Sequence, residues 1–263
     1  MKIPFTKTHG AKNDFLLTWR SEVPPDGHPE IARAICERHT GIGADGWMLV
    51  DPAGDGADGT IQLYNSDGSM AEMSGNGTRC AAAFLISRGH ASAVIRVRTG
   101  SGVKTLRLLR RNGNVFDFEM NMGAAEITDL HFSLPLWGGP RDCTLLWVGN
   151  PQCAIPVEDF DFDWRSVGAE IESHPHFPNR TNVSFIKPVD EHTIDVRFWE
   201  RGAGETMSSG TGSTGAAATA VARGLAKSPV RVLTPAGPID LRLEDEIYLT
   251  GPAEIVAAGE FWI

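Results

Sequence analysis

Residues 74–108, SGNGTRCAAAFLISRGHASAVIRVRTGSGVKTLRL, decide the fold because the chain contains a second version of them. Shifted by 135 residues, they align without a gap on residues 209–243, SGTGSTGAAATAVARGLAKSPVRVLTPAGPIDLRL, and 16 of the 35 positions are identical. The identities include Arg-Gly, Arg-x-x-Thr and Leu-Arg-Leu, which a shared bias towards alanine and glycine does not produce. Self-similarity of this length indicates two halves of similar structure.

Each repeat predicts the same succession of elements. A Ser-Gly-x-Gly loop is followed by an alanine-rich stretch of high helix propensity, which Gly89 or Gly224 ends. Residues 92–99 and 230–234 are rich in β-branched side chains and predict strands, and their alternation predicts one buried face. The sequence therefore predicts an α+β fold of two pseudo-symmetric domains, each a curved, mostly antiparallel sheet around a central helix.

The two domains are expected to divide near residues 112–125, where Arg-Asn-Gly-Asn marks a turn. We predict an N-terminal domain of residues 1–117 and a C-terminal domain of residues 118–250. Residues 251–263 have no counterpart in the repeat and are expected to return to the first domain as an added strand. A further helix is predicted over residues 29–37, with a proline in its first turn.

Composition narrows the classes of partner. The chain has 263 residues, with 24 Lys and Arg against 33 Asp and Glu, and it lacks a basic run that could follow phosphates, so nucleic acid is not expected. Its apolar runs are too short for a membrane helix and its first residues do not resemble a secretory signal, which predicts a cytoplasmic protein without a membrane partner.

Cysteine and histidine spacing gives no sign of a metal site. His174 and His176 lie close together without a Cys or acidic cluster around them, and no Cys-x-x-Cys pair occurs, so we expect no metal. The four scattered cysteines are expected to be reduced and buried. They are Cys36, Cys80, Cys143 and Cys153.

The doubled Ser-Gly-x-Gly loop suggests a site for an anion. A helix N-terminus offers backbone N–H groups without partners and a partial positive charge, and two such ends could hold one carboxylate between Ser74 and Ser209. Proton carriers on opposite faces of a carbon next to a carboxylate are what a racemase or epimerase without a cofactor requires. The alternative is that both serines only cap their helices, as serine often does.

Ten stretches along nearly the whole chain resemble the diaminopimelate epimerase family. They are HG and NDF at 9–10 and 13–15, RHTGIGADG at 38–46, NSDGS at 65–69, SGNGTRC at 74–80, GNP at 149–151, PNRTNV at 178–183, ERGAGET at 200–206, SGTG at 209–212 and TGPAE at 250–254. The resemblance implies two similar domains, each with a helix wrapped by a largely antiparallel sheet. It also implies a cofactor-independent isomerase of lysine and amino-acid biosynthesis, which interconverts LL- and meso-diaminopimelate by two-base proton transfer at the α-carbon.

The same resemblance assigns the substrate contacts and leaves a homodimer open, because members of the family often form dimers. It implies that four residues at the helix starts bind the α-carboxylate of an amino-acid substrate: Gly75, Asn76, Gly210 and Thr211. It implies that six residues hold the distal amino-acid end: Asn13, Asn65, Asn150, Asn182, Glu200 and Arg201. Glu200 beside Arg201 suits a zwitterion, because guanidinium clamps a carboxylate and a carboxylate faces an ammonium.

The chain departs from the family at its chemistry. The two catalytic cysteines of the family are replaced by Ser74 and Ser209, and the histidine of its GNPH motif is replaced by Gln152. A helix N-terminus lowers the pKa of a thiol enough to make it a base near neutral pH, whereas a serine hydroxyl needs an adjacent base. The sequence offers no obvious one.

Four explanations of the serine pair therefore stay open. The cysteines were replaced by design, the chain epimerises another amino acid, it performs a different reaction such as dehydration, or the site only binds an amino acid. Proline racemase or hydroxyproline dehydratase chemistry is a further enzyme alternative on the same fold, although GIGADG, PNRTNV and ERGAGET favour the diaminopimelate branch.

Overall fold

The computed structural model describes residues 1–54 and 56–263. It consists of two compact units, one formed by residues 1–120 with 251–263 and the other by residues 121–250. The predicted division after residue 117 and the observed division after Met120 lie on one strand, Val115–Gly123. Burial alternates along this whole strand, so no turn marks the point where one unit gives way to the other.

The first unit contains two helices, a short 3-10 turn at Arg20–Glu22 and the strands of one sheet. The helices are α1 (His28–Cys36) and α2 (Gly75–Ser87). The strands are β1 (Lys2–Gly10), β2 (Asn13–Trp19), β3 (Gly46–Gly54), β4 (Ala57–Asn65), β5 (Met70–Ala71), β6 (Val94–Thr99), β7 (Gly102–Asn112) and β8 (Val115–Gly123), with the returning part of β17 (Ile247–Trp262).

The strands of the first unit close into a ring around α2. Most neighbours are antiparallel, while β2 with β3 and β4 with β6 are parallel. The last strand, β17, runs antiparallel to β1 from Lys2 opposite Trp262 to His9 opposite Glu254, and it also pairs with β8. Residues 251–263, for which the sequence predicts a return to the first domain, thus pair with the first strand of the first unit.

The second unit repeats this arrangement around α4. Its helices are α3 (Trp164–Glu172) and α4 (Gly210–Ala222). Its strands are β9 (Glu126–Leu134), β10 (Arg141–Trp147), β11 (Pro151–Pro156), β12 (Asn182–Asp190), β13 (Thr193–Glu200), β14 (Gly204–Thr206), β15 (Val230–Thr234) and β16 (Gly237–Leu243). The parallel pairs, β11 with β12 and β13 with β15, occupy the places that the parallel pairs have in the first unit.

Small side chains explain why each central helix can be enclosed. Every residue from 75 to 85 of α2 and from 210 to 220 of α4 is buried, and most of them are Gly, Ala, Ser or Thr. A helix that is buried on all sides lies in a core, and short side chains let strands approach it from several directions. The predicted α+β fold, with a mostly antiparallel sheet around a central helix in each half, is confirmed.

Two predicted element boundaries are shifted. The helix expected at residues 29–37 is α1, which starts after Gly27 and ends before Glu37, whose carboxylate accepts the backbone N–H of His39 at 2.6 Å. The strand expected from residue 92 starts at Val94, because the Ser92 hydroxyl accepts the Val94 N–H at 3.1 Å in a local turn. The strand predicted at residues 230–234 is found with those bounds.

Other expectations concern glycines, cysteines and membranes. Gly89 and Gly224 have φ of +103° and +69° just after α2 and α4, which confirms both helix stops. The four cysteines are free and buried, as predicted. In the described part of the chain, no helix combines the length and the apolar character needed to cross a membrane.

Candidate active site

Ser74 occupies the N-cap of α2. Its backbone is extended, with φ −130° and ψ 123°, and its Oγ accepts the backbone N–H of Gly77 at 3.1 Å. Its carbonyl oxygen accepts both the N–H and the hydroxyl of Thr78 at 2.8 Å. Ser74 is half-buried, and no carboxylate among the described residues accepts a hydrogen bond from its hydroxyl. The capping role expected of a serine is therefore present here.

Ser209 has the same backbone at the N-cap of α4 and a different neighbour. Its φ is −134° and its ψ is 125°, and its Oγ accepts the N–H of Gly212 at 3.0 Å. The same oxygen donates its proton to Oε2 of Glu200 at 3.0 Å, while Oε1 of Glu200 accepts the hydroxyl of Thr206 at 2.6 Å. Ser209 is 3% exposed and Glu200 is partly exposed, so the hydrogen bond is shielded from water on the side of the serine.

The carboxylate beside Ser209 corrects the expectation that no base accompanies the serines. Glu200 ends β13, and the chain turns back as β14, which pairs Glu200 with Gly204 and Phe198 with Thr206. This narrow turn returns the chain to the start of α4 and brings Ser209 against the Glu200 carboxylate. Glu200 thus lies at a predicted catalytic position as well as in the set assigned to the distal end of a substrate.

The four residues predicted to bind an α-carboxylate occupy equivalent places in the two units. Gly75 and Asn76 are the first two residues of α2, and Gly210 and Thr211 are the first two of α4. The N–H groups of the first helical turn have no partner inside the helix, and they lie at its positive end. Each unit therefore presents anion-binding backbone groups next to its capping serine.

The predicted amide side chains of the first unit fall into two places. Asn76 Nδ2 donates to Asn13 Oδ1 at 3.2 Å, and Asn13 Nδ2 donates to Asp45 Oδ2 at 2.7 Å. Asn65 lies at the end of β4, where its Nδ2 donates to Ser69 Oγ at 3.0 Å. Asn13 and Asn76 are thus brought together at the start of α2, while Asn65 is held in its own turn.

A cluster of charges supports Asn13. Arg38 Nη2 lies 2.9 Å from Asp14 Oδ1 and 2.7 Å from Asp45 Oδ1. Lys7 Nζ lies 3.1 Å from Asp14 Oδ2. Burial acts to raise the pKa of Asp14, but the hydrogen bonds from Arg38 and Lys7 outweigh it and the pKa is lowered. Burial raises the pKa of Asp45, against the hydrogen bond from Asn13 and with the help of the Asp14 charge.

The second unit joins its amides to the start of α4. Asn150 Nδ2 donates to Thr211 Oγ1 at 3.3 Å, and Asn150 Oδ1 accepts from Gln152 Nε2 at 2.6 Å. Asn182 Oδ1 accepts the backbone N–H of Arg201 at 3.0 Å, which anchors the residue after Glu200. The predicted residues of this unit therefore form hydrogen-bonded pairs around α4 and the end of β13.

Glu172 was missed by the sequence analysis. This carboxylate is 5% exposed and accepts from Trp199 Nε1 at 3.0 Å, Gly202 N at 2.7 Å and Arg180 Nη2 at 2.6 Å. It therefore ties together the two sides of the turn that carries Glu200. Its position at the end of α3 gives no local pattern that singles it out.

Arg79 was also missed, although it lies inside the SGNGTRC motif. Its side chain is fully buried beside Asn76. The sequence does contain a sign of its role, because a charged residue in an otherwise small and apolar helix needs partners.

Among the described residues, no group of three or more His, Cys, Asp or Glu side chains is arranged to hold a metal ion.

Comparison with known proteins identifies one family for this chain. The family model described as diaminopimelate epimerase matches residues 5–128 and 144–256. The diaminopimelate epimerase of Pelotomaculum thermopropionicum is 39% identical over 98% of this chain and 98% of its own. That of Pseudomonas fluorescens is 35% identical over 99% of each chain.

Solved structures of lower identity share the fold. A hydroxyproline epimerase from Agrobacterium vitis superposes with a TM-score of 0.79 at 16% identity, covering 98% of this chain and 92% of that one. A phenazine biosynthesis protein of the PhzF family from Bacillus anthracis gives 0.74 at 14% identity, covering 100% of both chains. The match of the family model over most of the chain, together with these full-length relatives, shows that the chain belongs to the diaminopimelate epimerase family of isomerases.

Proposed function

We propose that this chain epimerises a diaminopimelate-type amino acid, interconverting the LL and meso forms by two-base proton transfer at the α-carbon. Ser74 and Ser209 occupy the two acid/base positions. The observation that carries the proposal is the hydrogen bond from Ser209 Oγ to Glu200 Oε2, which is 3.0 Å long. Ser209 itself is only 3% exposed to solvent. The hydrogen bond supplies the base that a serine hydroxyl needs.

The proton transfer at Ser209 balances without a cofactor. The α-carbon–hydrogen bond breaks as Ser209 Oγ takes the proton, and the hydroxyl proton of Ser209 passes to Glu200 Oε2. The negative charge goes to the α-carbon and its carboxylate, where N–H groups of the helix starts stabilise it. In the reverse direction Glu200 returns its proton to Ser209 as Ser209 protonates the carbanion.

Ser74 has fewer neighbouring groups that could assist proton transfer. Its Oγ accepts the Gly77 N–H at 3.1 Å, and the positive end of α2 favours negative charge on this oxygen. The described residues place no carboxylate against its hydroxyl. Proton transfer through Ser74 is therefore the slower step in this account.

The substrate contacts of the proposal are those implied by family resemblance. The helix starts hold the α-carboxylate. The resemblance gives the distal end to the amides together with Glu200 and Arg201. Glu200 is also engaged with Ser209 and Thr206, so we assign its carboxylate to proton transfer and leave the distal ammonium to the neighbouring amide oxygens. The site works without a cofactor, and a homodimer is the assembly to look for.

Conversion of LL-diaminopimelate to the meso form tests the proposal. Purified chain is incubated with the LL isomer, and the two isomers are separated by chiral chromatography over time. Appearance of the meso form at a rate proportional to the protein concentration supports the proposal. Binding of the LL isomer by calorimetry without conversion would overturn it.

A non-catalytic amino-acid-binding protein is the second candidate. Gln152, at the position of the family's histidine, is 3% exposed and donates to Asn150 at 2.6 Å. An amide does not exchange a proton in the way an imidazole does. This candidate predicts tight binding of the amino acid and retention of its α-hydrogen in deuterated water.

A further inference from the structure

Arg79 is a charged side chain enclosed in the first unit. It is 0% exposed, and its three acceptors are neutral oxygens. Nη2 donates to Asn76 Oδ1 at 2.5 Å, Nη1 to the carbonyl of Gly75 at 3.3 Å, and Nε to the carbonyl of Pro252 at 3.2 Å. The guanidinium thus links the first turn of α2 to the returning strand β17.

The surrounding backbone is shaped around this side chain. A Cβ atom on Gly10 would lie 3.3 Å from Nη2 of Arg79, and one on Gly251 would lie 3.1 Å from its Cζ. Two glycines on two strands therefore leave the space that the guanidinium fills. The backbone around Arg79 thus leaves a space that fits its guanidinium, which distinguishes it from a surface arginine that another segment covers.

Arg79 remains a cation in this environment. Burial lowers its pKa to about 10, which leaves it protonated at neutral pH. No Asp or Glu of the described residues forms an ion pair with it. A buried charge without an opposite charge is expensive, so the protein retains Arg79 against a stability cost.

A chain of hydrogen bonds runs from Arg79 through Asn76 and Asn13 to Asp45. A guanidinium only donates, so the Asn76 side chain must turn its oxygen towards Arg79 and its Nδ2 towards Asn13. Asn13 therefore offers Oδ1 to Asn76 and Nδ2 to the acceptor Asp45, at 2.7 Å. A donor-only group at one end and a carboxylate at the other leave one orientation for both amides.

We infer that Arg79 is a positioning residue, which fixes the amide orientation of Asn76 and, through it, of Asn13. The inference rests on the proposed function for the ligand that these two amides would hold. It does not concern the proton carriers, because the hydrogen bonds of Arg79 to the described residues lead to Asn76 and to backbone oxygens.

The other unit shows that the helix start does not need this arginine. The repeat places Thr214 where Arg79 stands, and its hydroxyl donates to the Gly210 carbonyl at 2.8 Å. Arg79 makes the equivalent bond to Gly75 and then reaches beyond it to Asn76 and Pro252. The hydrogen bonds that Arg79 makes beyond Gly75, to Asn76 and Pro252, are what orders the amides.

The first arm of the test needs no ligand. Side-chain amide signals of Asn13 and Asn76 are recorded by ¹H–¹⁵N NMR in the free protein and in Arg79→Met, and they are assigned from Asn→Ala variants. Both signals are expected to move in Arg79→Met. Arg88→Met is the matched control: this arginine near the other end of α2 donates to Thr6 at 3.0 Å, and its loss should move neither signal. Unchanged signals in a folded Arg79→Met would overturn the inference.

The second arm measures the affinity for LL-diaminopimelate by calorimetry. Arg79→Met is expected to weaken binding roughly tenfold or more, because two ordered amides lose their fixed orientation. Arg79→Lys is expected to be nearly as weak, because an ammonium cannot reach three acceptors in the geometry of a guanidinium fork. Wild-type affinity in Arg79→Lys would overturn the positioning role, since charge alone would then suffice.

The two arms separate this inference from the proposed function. If the wild type fails to bind diaminopimelate, the proposed function falls, while the NMR arm still decides whether Arg79 orders the amides. If Arg79→Met does not fold, Arg79→Lys takes its place in the NMR arm, where both signals are again expected to move because an ammonium cannot keep the geometry of the guanidinium fork. Unchanged Asn76 and Asn13 signals in Arg79→Lys would overturn the inference.

Discussion

The starts of α2 and α4 have the same backbone and different chemistry. Ser74 and Ser209 differ by only a few degrees in φ and ψ, and each oxygen accepts the N–H three residues ahead. Ser209 also donates to the Glu200 carboxylate, whereas none of the described carboxylates accepts the hydroxyl of Ser74. The two helix starts therefore share one backbone frame and differ in the partner of the serine hydroxyl, to which the proposal gives the proton-carrying role.

The repeat register identifies the residues that diverged. The counterpart of Glu200 at a shift of 135 is Asn65, and both end a strand that is followed by a tight turn. Asn65 bonds Ser69 inside its own turn, while Glu200 bonds Ser209. In the proposed mechanism, a carboxylate at this position in one unit and an amide in the other make Ser209 the better base of the two.

Glu200→Gln removes the carboxylate that distinguishes the start of α4 from the start of α2, and it should reduce activity most. The amide cannot accept the hydroxyl proton of Ser209, so we expect the epimerisation turnover to fall by roughly 10²-fold or more. The matched control is Glu205→Gln in the same hairpin, a carboxylate that pairs with Arg165 at 2.6 Å and should leave turnover nearly unchanged. Turnover is measured by chiral chromatography, and an active Glu200→Gln would refute the role of Glu200.

Cysteine at each serine position shows how far each helix start depends on a separate base, and we expect a moderate change in turnover. Ser74→Cys should raise turnover by roughly tenfold or more, because a thiol at a helix N-terminus ionises without a separate base. Ser209→Cys should gain less, since the neighbouring Glu200 carboxylate raises the pKa of a thiol placed there. The two single variants are assayed beside the wild type. A larger gain at position 209 would reverse the assigned asymmetry.

Loss of the two caps gives the smallest effect. Ser74→Ala is expected to lower the free energy of unfolding by about 1 kcal/mol, the usual value for an N-cap. Ser209→Ala should cost more, because it also leaves the Glu200 carboxylate without one of its donors in a shielded place. Urea unfolding of both variants measures the difference, and equal losses would show that the Glu200 contact contributes nothing to stability.

Local patterns explain why the repeat, the helix starts and the fold could be predicted. The serine caps, the alanine-rich stretches and the glycine stops are all encoded within a few residues of the place where they act. The return of residues 251–263 followed from their lack of a counterpart, because a strand outside the repeat needs an edge to pair with.

Features that depend on distant segments escaped the sequence. Ser209 and Glu200 meet because a short hairpin folds back, and the resemblance had assigned Glu200 to the distal end of a substrate. Burial of Arg79 depends on Pro252, 173 positions along the chain, and on space left by glycines of other strands. Side-chain partners of this kind are set by packing and are not visible as a local pattern.

A double-mutant cycle on Ser209 and Glu200 decides whether the two side chains act as one proton-carrying pair. The loss of α-hydrogen from LL-diaminopimelate in deuterated water is followed by ¹H NMR for Ser209→Ala, Glu200→Gln and the double variant. Groups that act as one proton-carrying pair lose their effect together, so the double variant should be no slower than the slower single variant. Losses that multiply in the double variant would show that Ser209 and Glu200 act independently and would contradict the account.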